Sequence, residues 1–285
     1  MEIKKITVLG AGLMGNGIAQ VCAQAGYEVI MRDIEDRFVE NGMNTIKKNL
    51  QKAVEKGKMG EDEMNAVLGR ITGLTDLKEA MKDPDLVIEA VPENMDLKKS
   101  IYSEIDALAP EKTIFASNTS SLSITEMASV TKRPEKFIGM HFFNPVPVMK
   151  LVELIRGFLT SDETLETVRE VTEKLGKTPV VCTDSPGFIA NRIALPMLNE
   201  AYYVLMEGIA TREDIDTAMK LGYNHPMGPL ELSDLVGLDT ILSILDIYYK
   251  EFGDPKYRAC PLLRKMVRAG LYGRKSGRGF YDYTK

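Results

Sequence analysis

Short aliphatic runs alternate with amphipathic stretches over the first two thirds of the chain. Ile6-Thr7-Val8-Leu9 is a β-branched run of the kind that forms a strand buried on both faces. From Asn16 to Ala25, Ile18, Val21, Cys22 and Ala25 fall at helical spacing, and Gly26 stands where such a helix is capped. Tyr27 to Met31 then reads as a second strand, ending at Arg32-Asp33. Residues 36–69 read as one long helix and a shorter one, an excursion before the sheet resumes. Further strands are predicted over 85–91, 112–117, 137–143, 150–155 and 178–182. Helices are predicted over 95–108, from a Ser123 cap through Ser129, and over 162–175. At Asp184-Ser185-Pro186-Gly187 the pattern changes: Ser185 suits an N-cap and Pro186 the first helical position. Beyond it only helices are predicted, over 187–208, 212–220, 230–236, 238–250 and 261–269. The expectation is an α/β domain with a mostly parallel sheet over 1–184, followed by an all-helical domain over 185–285.

The first strand runs straight into Gly10-Ala11-Gly12-Leu13-Met14-Gly15, which opens the first helix. In that context Gly10 allows a tight turn, Gly12 lets backbone approach a pyrophosphate, and Gly15 allows close helix–strand packing. The helix N-terminus, with Leu13 and Met14 in its first turn, offers free N–H groups and the positive end of its dipole. Asp33, at the tip of the second strand, can accept hydrogen bonds from both ribose hydroxyls and would repel a 2′-phosphate. The first domain is therefore read as Rossmann-like, with NAD favoured over NADP; Arg32 beside Asp33 keeps NADP as the alternative.

The second candidate site is Phe137 to Ile155, FIGMHFFNPVPVMKLVELI. It contains His141, one of two histidines in the chain, and Glu153, a lone acid in an apolar run. Two strands joined through the turn Asn144-Pro145-Val146-Pro147 could bring the pair together, as a base with its orienting carboxylate or as a structural pair. A polar cluster, Asn118-Thr119-Ser120-Ser121, follows a predicted parallel strand at the end where α/β folds place ligands. Ser123 suits the helix cap, which leaves Ser120 for a ligand. Lys48, Lys52 and Lys56 share one helix face, with Lys47 and Lys58 nearby: a hold for a phosphorylated ligand arm, or a plain solvated face. His225 lies in a turn and is read as structural.

Composition narrows the classes further. Hydrophobic residues at 44% and charged residues at 27% suit a globular protein. A net charge of -5 gives no global attraction to nucleic acid or to an anionic membrane. Cys22, Cys182 and Cys260 are far apart, and with two histidines no metal-ligand set is visible. Met1 to Lys5 lead directly into a strand, and no apolar run approaches a membrane span, so the expectation is a reduced cytoplasmic protein.

Taken together, these residues resemble the L-3-hydroxyacyl-CoA dehydrogenase family in its short-chain bacterial form. The resemblance extends over essentially the whole chain. It is carried by GAGLMG at 10–15, SNTSSL at 117–122, HFFNPVPVMKLVE at 141–153, DSPGFIANR at 184–192, DIDTAMKLG at 214–222, PMGP at 226–229 and the terminal GRGFYDY. It implies cofactor contacts at Gly10, Gly12, Leu13, Met14, Gly15, Asp33, Glu93, Lys98, Ser120, Asn144 and Lys275. It implies a His141–Glu153 catalytic pair, with Ser120 and Asn191 as polar partners of the substrate. Coenzyme A contacts fall on Asn49 and Lys56, Asn49 standing where well-known members have serine. The implied reaction interconverts (S)-3-hydroxybutyryl-CoA and acetoacetyl-CoA with NAD(H), in fatty acid and butyrate metabolism. A cleft between the domains and a homodimer through the helical domain are also implied. The alternatives are a dehydrogenase of free hydroxy acids and a non-catalytic relative of the same fold.

Overall fold

The structure, a computed structural model, describes residues 1–284. The chain divides into two compact units, Met1–Ser185 and Pro186–Lys285. Among the described residues the first unit carries eight strands: β1 (Lys5–Leu9), β2 (Glu28–Arg32), β3 (Ile71–Leu74), β4 (Leu86–Glu89), β5 (Ile114–Ser117), β6 (Phe137–Phe142), β7 (Leu151–Arg156) and β8 (Thr178–Thr183). They form one sheet in the order β3-β2-β1-β4-β5-β6-β7-β8. All neighbours are parallel except β6 and β7. The first six strands have the doubly wound order of dinucleotide-binding sheets.

The helices of this unit are α1 (Leu13–Gln24), α2 (Asp36–Glu55), α3 (Glu61–Gly69), α4 (Leu77–Ala80), α5 (Met95–Leu108), α6 (Ile124–Ala128) and α7 (Asp162–Lys174). Ile18, Ala19, Cys22 and Ala23 of α1 pack with Ile6, Val8, Val29 and Met31 of the strands, and Ile46 and Leu50 of α2 join the same core. Strand β3 and helix α4 were not expected from the sequence. The run Ile71-Thr72-Gly73-Leu74 is short and interrupted by glycine, so it becomes a strand only because β2 offers an edge to pair with. Asp76 caps α4 by accepting from the N–H groups of Lys78 and Glu79.

The second unit holds α8 (Ala190–Met206), α9 (Arg212–Gly222), α10 (Pro229–Val236), α11 (Leu238–Phe252) and α12 (Pro261–Arg268). Leu195, Leu198, Tyr202, Leu230, Leu238, Leu245, Tyr248 and Leu263 form its core. Helix α8 starts later than expected, and Ser185 is not its N-cap. Gly187 and Phe188 take positive φ, +80° and +53°, which no helix allows, and a Cβ on Gly187 would collide with the Tyr248 hydroxyl. The terminal GRGFYDY run is pinned to α10: Asp234 accepts from Phe280 N and Tyr281 N at 2.9 Å each. Phe280 stacks on Tyr202 with ring centroids 5.2 Å apart.

Candidate active site

The turn from β1 to α1 is built by its glycines. Gly10 has φ +101°, and a Cβ there would meet the Ala90 carbonyl oxygen at 2.6 Å. A Cβ on Gly15 would run into the Gly10 carbonyl. Gly12 differs, because a Cβ there meets nothing within 4 Å; its bareness keeps space open at the turn. No side chain caps α1 and no acid occupies its first turn, so its leading N–H groups, at Leu13, Met14 and Gly15, suit an anion. Asp33 is fixed beside them: Oδ2 accepts from Ala11 N and Oδ1 from Ile34 N, each at 2.7 Å. Arg32, the reason for considering a 2′-phosphate, donates through Nε to the Thr75 carbonyl at 3.0 Å. An open glycine turn, an uncapped helix end and a fixed anionic acceptor together fit a dinucleotide.

Strands β6 and β7 set His141 directly opposite Glu153. Directly opposed residues point to the same face of a sheet, and Nδ1 of His141 lies 2.7 Å from Oε2 of Glu153. Both are buried, His141 at 6% exposure and Glu153 at 1%. A carboxylate so placed can hold the neutral tautomer with its proton on Nδ1, the arrangement that leaves Nε2 available as a base. The Phe143 ring lies 4.5 Å from the imidazole, centroid to centroid. Burial, with the Glu153 and Asp184 carboxylates nearby, pushes the thiol of Cys182, on β8, up to about 12, which disfavours its thiolate.

The turn between these strands has a cis Asn144–Pro145 bond, and Asn144 is exposed. Buried Lys177 braces it, donating to the Val146 and Met149 carbonyls at 2.5 and 2.8 Å. Burial lowers the pKa of this ammonium.

The loop after β5 brings the polar cluster to the same sheet end. Asn118 Oδ1 accepts from Phe142 N at 2.8 Å, joining the loop to the strand beside His141. Ser120 N donates to Glu93 Oε1 at 3.0 Å, and the Ser120 hydroxyl makes no hydrogen bond among the described residues. Ser123 caps α6 as expected, through Glu126 N. Lys98 is 1% exposed, its ammonium 2.6 Å from Glu89 and 3.3 Å from Glu93. Glu89 was not singled out from the sequence, and Asn118 was read only as a member of the polar cluster at 118–121. The signal that drew attention to Glu153, an acid inside an apolar run, was present at Glu89 in DLVIEAV too.

The remaining expected residues are more dispersed. Lys275 and Asn191 belong to the second unit: Lys275 pairs with Asp239 at 2.5 and 2.7 Å, and Asn191 lies in the first turn of α8. Lys48 and Lys52 on α2, and Lys56 at its C-cap, are exposed, and none has a carboxylate partner among the described residues. Asn49 is half-buried, its amide 3.4 Å from the Gln20 side chain. His225 lies in a turn, as expected, with its ring 6.4 Å from that of Tyr223.

Comparison with known proteins agrees with this geometry. The 3-hydroxyacyl-CoA dehydrogenase NAD binding domain matches residues 5–185, and the C-terminal domain of the same family matches residues 187–283. A Bacillus subtilis protein named probable 3-hydroxybutyryl-CoA dehydrogenase is 56% identical over 285 residues, 100% of this chain and 99% of that one. Human mitochondrial hydroxyacyl-coenzyme A dehydrogenase is 45% identical over 287 aligned residues, covering 99% of this chain and 91% of its own. The crystal structure of (S)-3-hydroxybutyryl-CoA dehydrogenase from Ralstonia eutropha superposes with a TM-score of 0.97 at 52% identity, covering both chains fully. The chain therefore belongs to the 3-hydroxyacyl-CoA dehydrogenase family and is an NAD-dependent dehydrogenase.

Proposed function

We propose that the protein interconverts (S)-3-hydroxybutyryl-CoA and acetoacetyl-CoA, with NAD(H) as the redox partner. The observation that carries this reading is the buried His141–Glu153 bond of 2.7 Å, formed across paired strands. In the oxidative direction Nε2 of His141 takes the proton of the C3 hydroxyl. The imidazolium forms against the Glu153 carboxylate, which lowers its energy and holds Nε2 in place. In the reductive direction the same nitrogen returns the proton. NAD(H), when bound, accepts or donates the hydride at C3. Ser120 and Asn191 hydrogen-bond the substrate oxygens and hold the hydroxyl to His141.

Gly10, Gly12 and Gly15, with the N–H groups of Leu13 and Met14, receive the pyrophosphate, and Asp33 receives the ribose hydroxyls. Glu93, Lys98, Ser120, Asn144 and Lys275 complete the cofactor contacts. The exposed ammonium of Lys56, with Lys48 and Lys52, takes the phosphorylated arm of coenzyme A; Asn49 joins it by turning away from Gln20. The names of the B. subtilis and R. eutropha relatives support the four-carbon substrate. The helical unit supplies the surface of a homodimer, and the three free cysteines suit a reducing cytoplasmic setting.

The test is NADH oxidation across 3-ketoacyl-CoAs of four to sixteen carbons, with free acetoacetate and NADPH as comparators. Acetoacetyl-CoA with NADH should give the highest kcat/KM. Equal turnover of free acetoacetate would point to a hydroxy-acid dehydrogenase, and NADH binding without turnover of any thioester to a non-catalytic relative.

A further inference from the structure

Glu89 ends β4 inside a closed set of partners. It is fully buried, at 0% exposure. Its Oε1 accepts from Val91 N at 2.7 Å and from the Lys98 ammonium at 2.6 Å. Its Oε2 accepts from the Ser117 hydroxyl at 2.7 Å and, at 3.3 Å, from the Tyr102 hydroxyl, which shares its proton with the Ala116 carbonyl at 3.1 Å. Lys98 reaches on to Glu93 Oε2 at 3.3 Å. The other oxygen of Glu93 accepts from the Thr119 hydroxyl at 2.5 Å, Ser120 N at 3.0 Å and the Ser121 hydroxyl at 3.3 Å. The loop after β5 is thus held at its root, where Glu89 grips Ser117 at the end of the strand, and again at 119–121 through Glu93, with Lys98 joining the two carboxylates.

Stability is a weak reason for such an arrangement, because a buried ion pair roughly breaks even against apolar residues of the same volume. Geometry is a stronger one. A carboxylate held by four donors has little freedom, and what it holds inherits that. The grip also extends to the strand of the base. Asn118 N donates to the Glu89 carbonyl at 2.8 Å, and the Asn118 side chain holds Phe142 N at 2.8 Å, next to His141.

We propose that Glu89 is a positioning residue: with Lys98 it sets the path of loop 117–121, and hence the placement of Ser120 relative to His141. This rests on the assignment of Ser120 and His141 to the substrate.

The test compares two hydroxyls that donate to the same Glu89 oxygen. Ser117→Ala removes the donor at the end of β5, where the loop begins, and Tyr102→Phe the donor that lies on α5. Since a misplacement of an ångström costs up to about 10²-fold in rate, Ser117→Ala should lower kcat about tenfold or more. Tyr102→Phe should leave kcat within about twofold of wild type while lowering the thermal midpoint comparably, each variant losing two hydrogen bonds: Ser117 those to Glu89 and from Thr119 N, Tyr102 those to Glu89 and to the Ala116 carbonyl. In a Ser120→Ala background, adding Ser117→Ala should change kcat by less than about twofold, because the two act in series. Equal kcat losses from Ser117→Ala and Tyr102→Phe, or additive losses in the Ser120→Ala background, overturn the proposal. Wild-type turnover by Ser120→Ala sinks the substrate assignment and this proposal with it. An impaired Ser120→Ala beside an unimpaired Ser117→Ala removes the proposal alone.

Discussion

At the scale of single residues, the proposed chemistry rests on one imidazole and one carboxylate in contact at 2.7 Å. His141→Ala removes the proton acceptor, so kcat should fall about 10²–10⁴-fold. NADH affinity, measured by fluorescence titration, should survive, because the glycine turn and Asp33 are untouched. A folded His141→Ala protein unable to bind NADH would speak against the assigned role. Glu153→Gln keeps the shape and deletes the charge that stabilises the imidazolium. Its kcat should drop by on the order of 10²-fold, and near wild-type turnover would remove the carboxylate from the mechanism. Other residues do their work by restricting neighbours. Arg32 is occupied by the Thr75 carbonyl, and both oxygens of Asp33 are held by the backbone N–H groups of Ala11 and Ile34.

Among the elements, the antiparallel pair β6–β7 decides the site. Its register sets His141 against Glu153, and a one-residue slip would send one of them to the other face. At the opposite end of the sheet, Asp85 ties β1 to β4. Its Oδ2 accepts from Lys4 N and Lys5 N at 2.8 and 2.9 Å, and its Oδ1 lies 2.8 Å from the Lys112 ammonium. Burial alone would raise the Asp85 pKa, but Lys112 and the two backbone N–H groups outweigh it and hold the carboxyl below the ordinary 3.8. A carboxylate with a depressed folded-state pKa contributes stability that is complete above the unfolded value and is lost as pH falls through the folded one. Asp85→Asn should therefore cost about 1–3 kcal/mol near neutral pH. In urea titrations the gap to wild type should narrow below pH 3.8. A gap that stayed constant down to strongly acidic pH would show that the charge is not what stabilises.

For the whole molecule, the residues of the proposed function are divided between the two units. The first holds the glycine turn, Asp33, the serine loop and the His141–Glu153 pair; the second holds Asn191 and Lys275. The helical unit also exposes large apolar side chains, among them Ile193, Ile209, Leu221 and Tyr223. Exposed apolar surface of this kind suits association with a second copy. Sedimentation equilibrium should give twice the chain mass at micromolar concentration, and Ile193→Asp/Leu221→Asp should shift the population toward monomer. A monomeric wild type would discard the homodimer.

Local signals in the sequence were enough for the strand–glycine turn–helix unit, the alternation of strands and helices, and the change to helices after Ser185. These depend on periodicity, turn chemistry and caps that lie within a few residues of one another. His141, Glu153 and Ser120 were legible as candidates because polar residues in apolar or strand-end settings stand out. Strand β3 was not legible, since it owes its existence to the edge of β2, and neither was the late start of α8, which follows from the positive φ of Gly187 and Phe188. The partners of Glu89 come from three separate segments, and Asn118 meets Phe142 across 24 residues. Hydrogen bonds at such separations depend on which strands become neighbours. His141 and Glu153 could be suspected of acting together from their sequence, but their 2.7 Å contact exists because two strands pair in one register and no other.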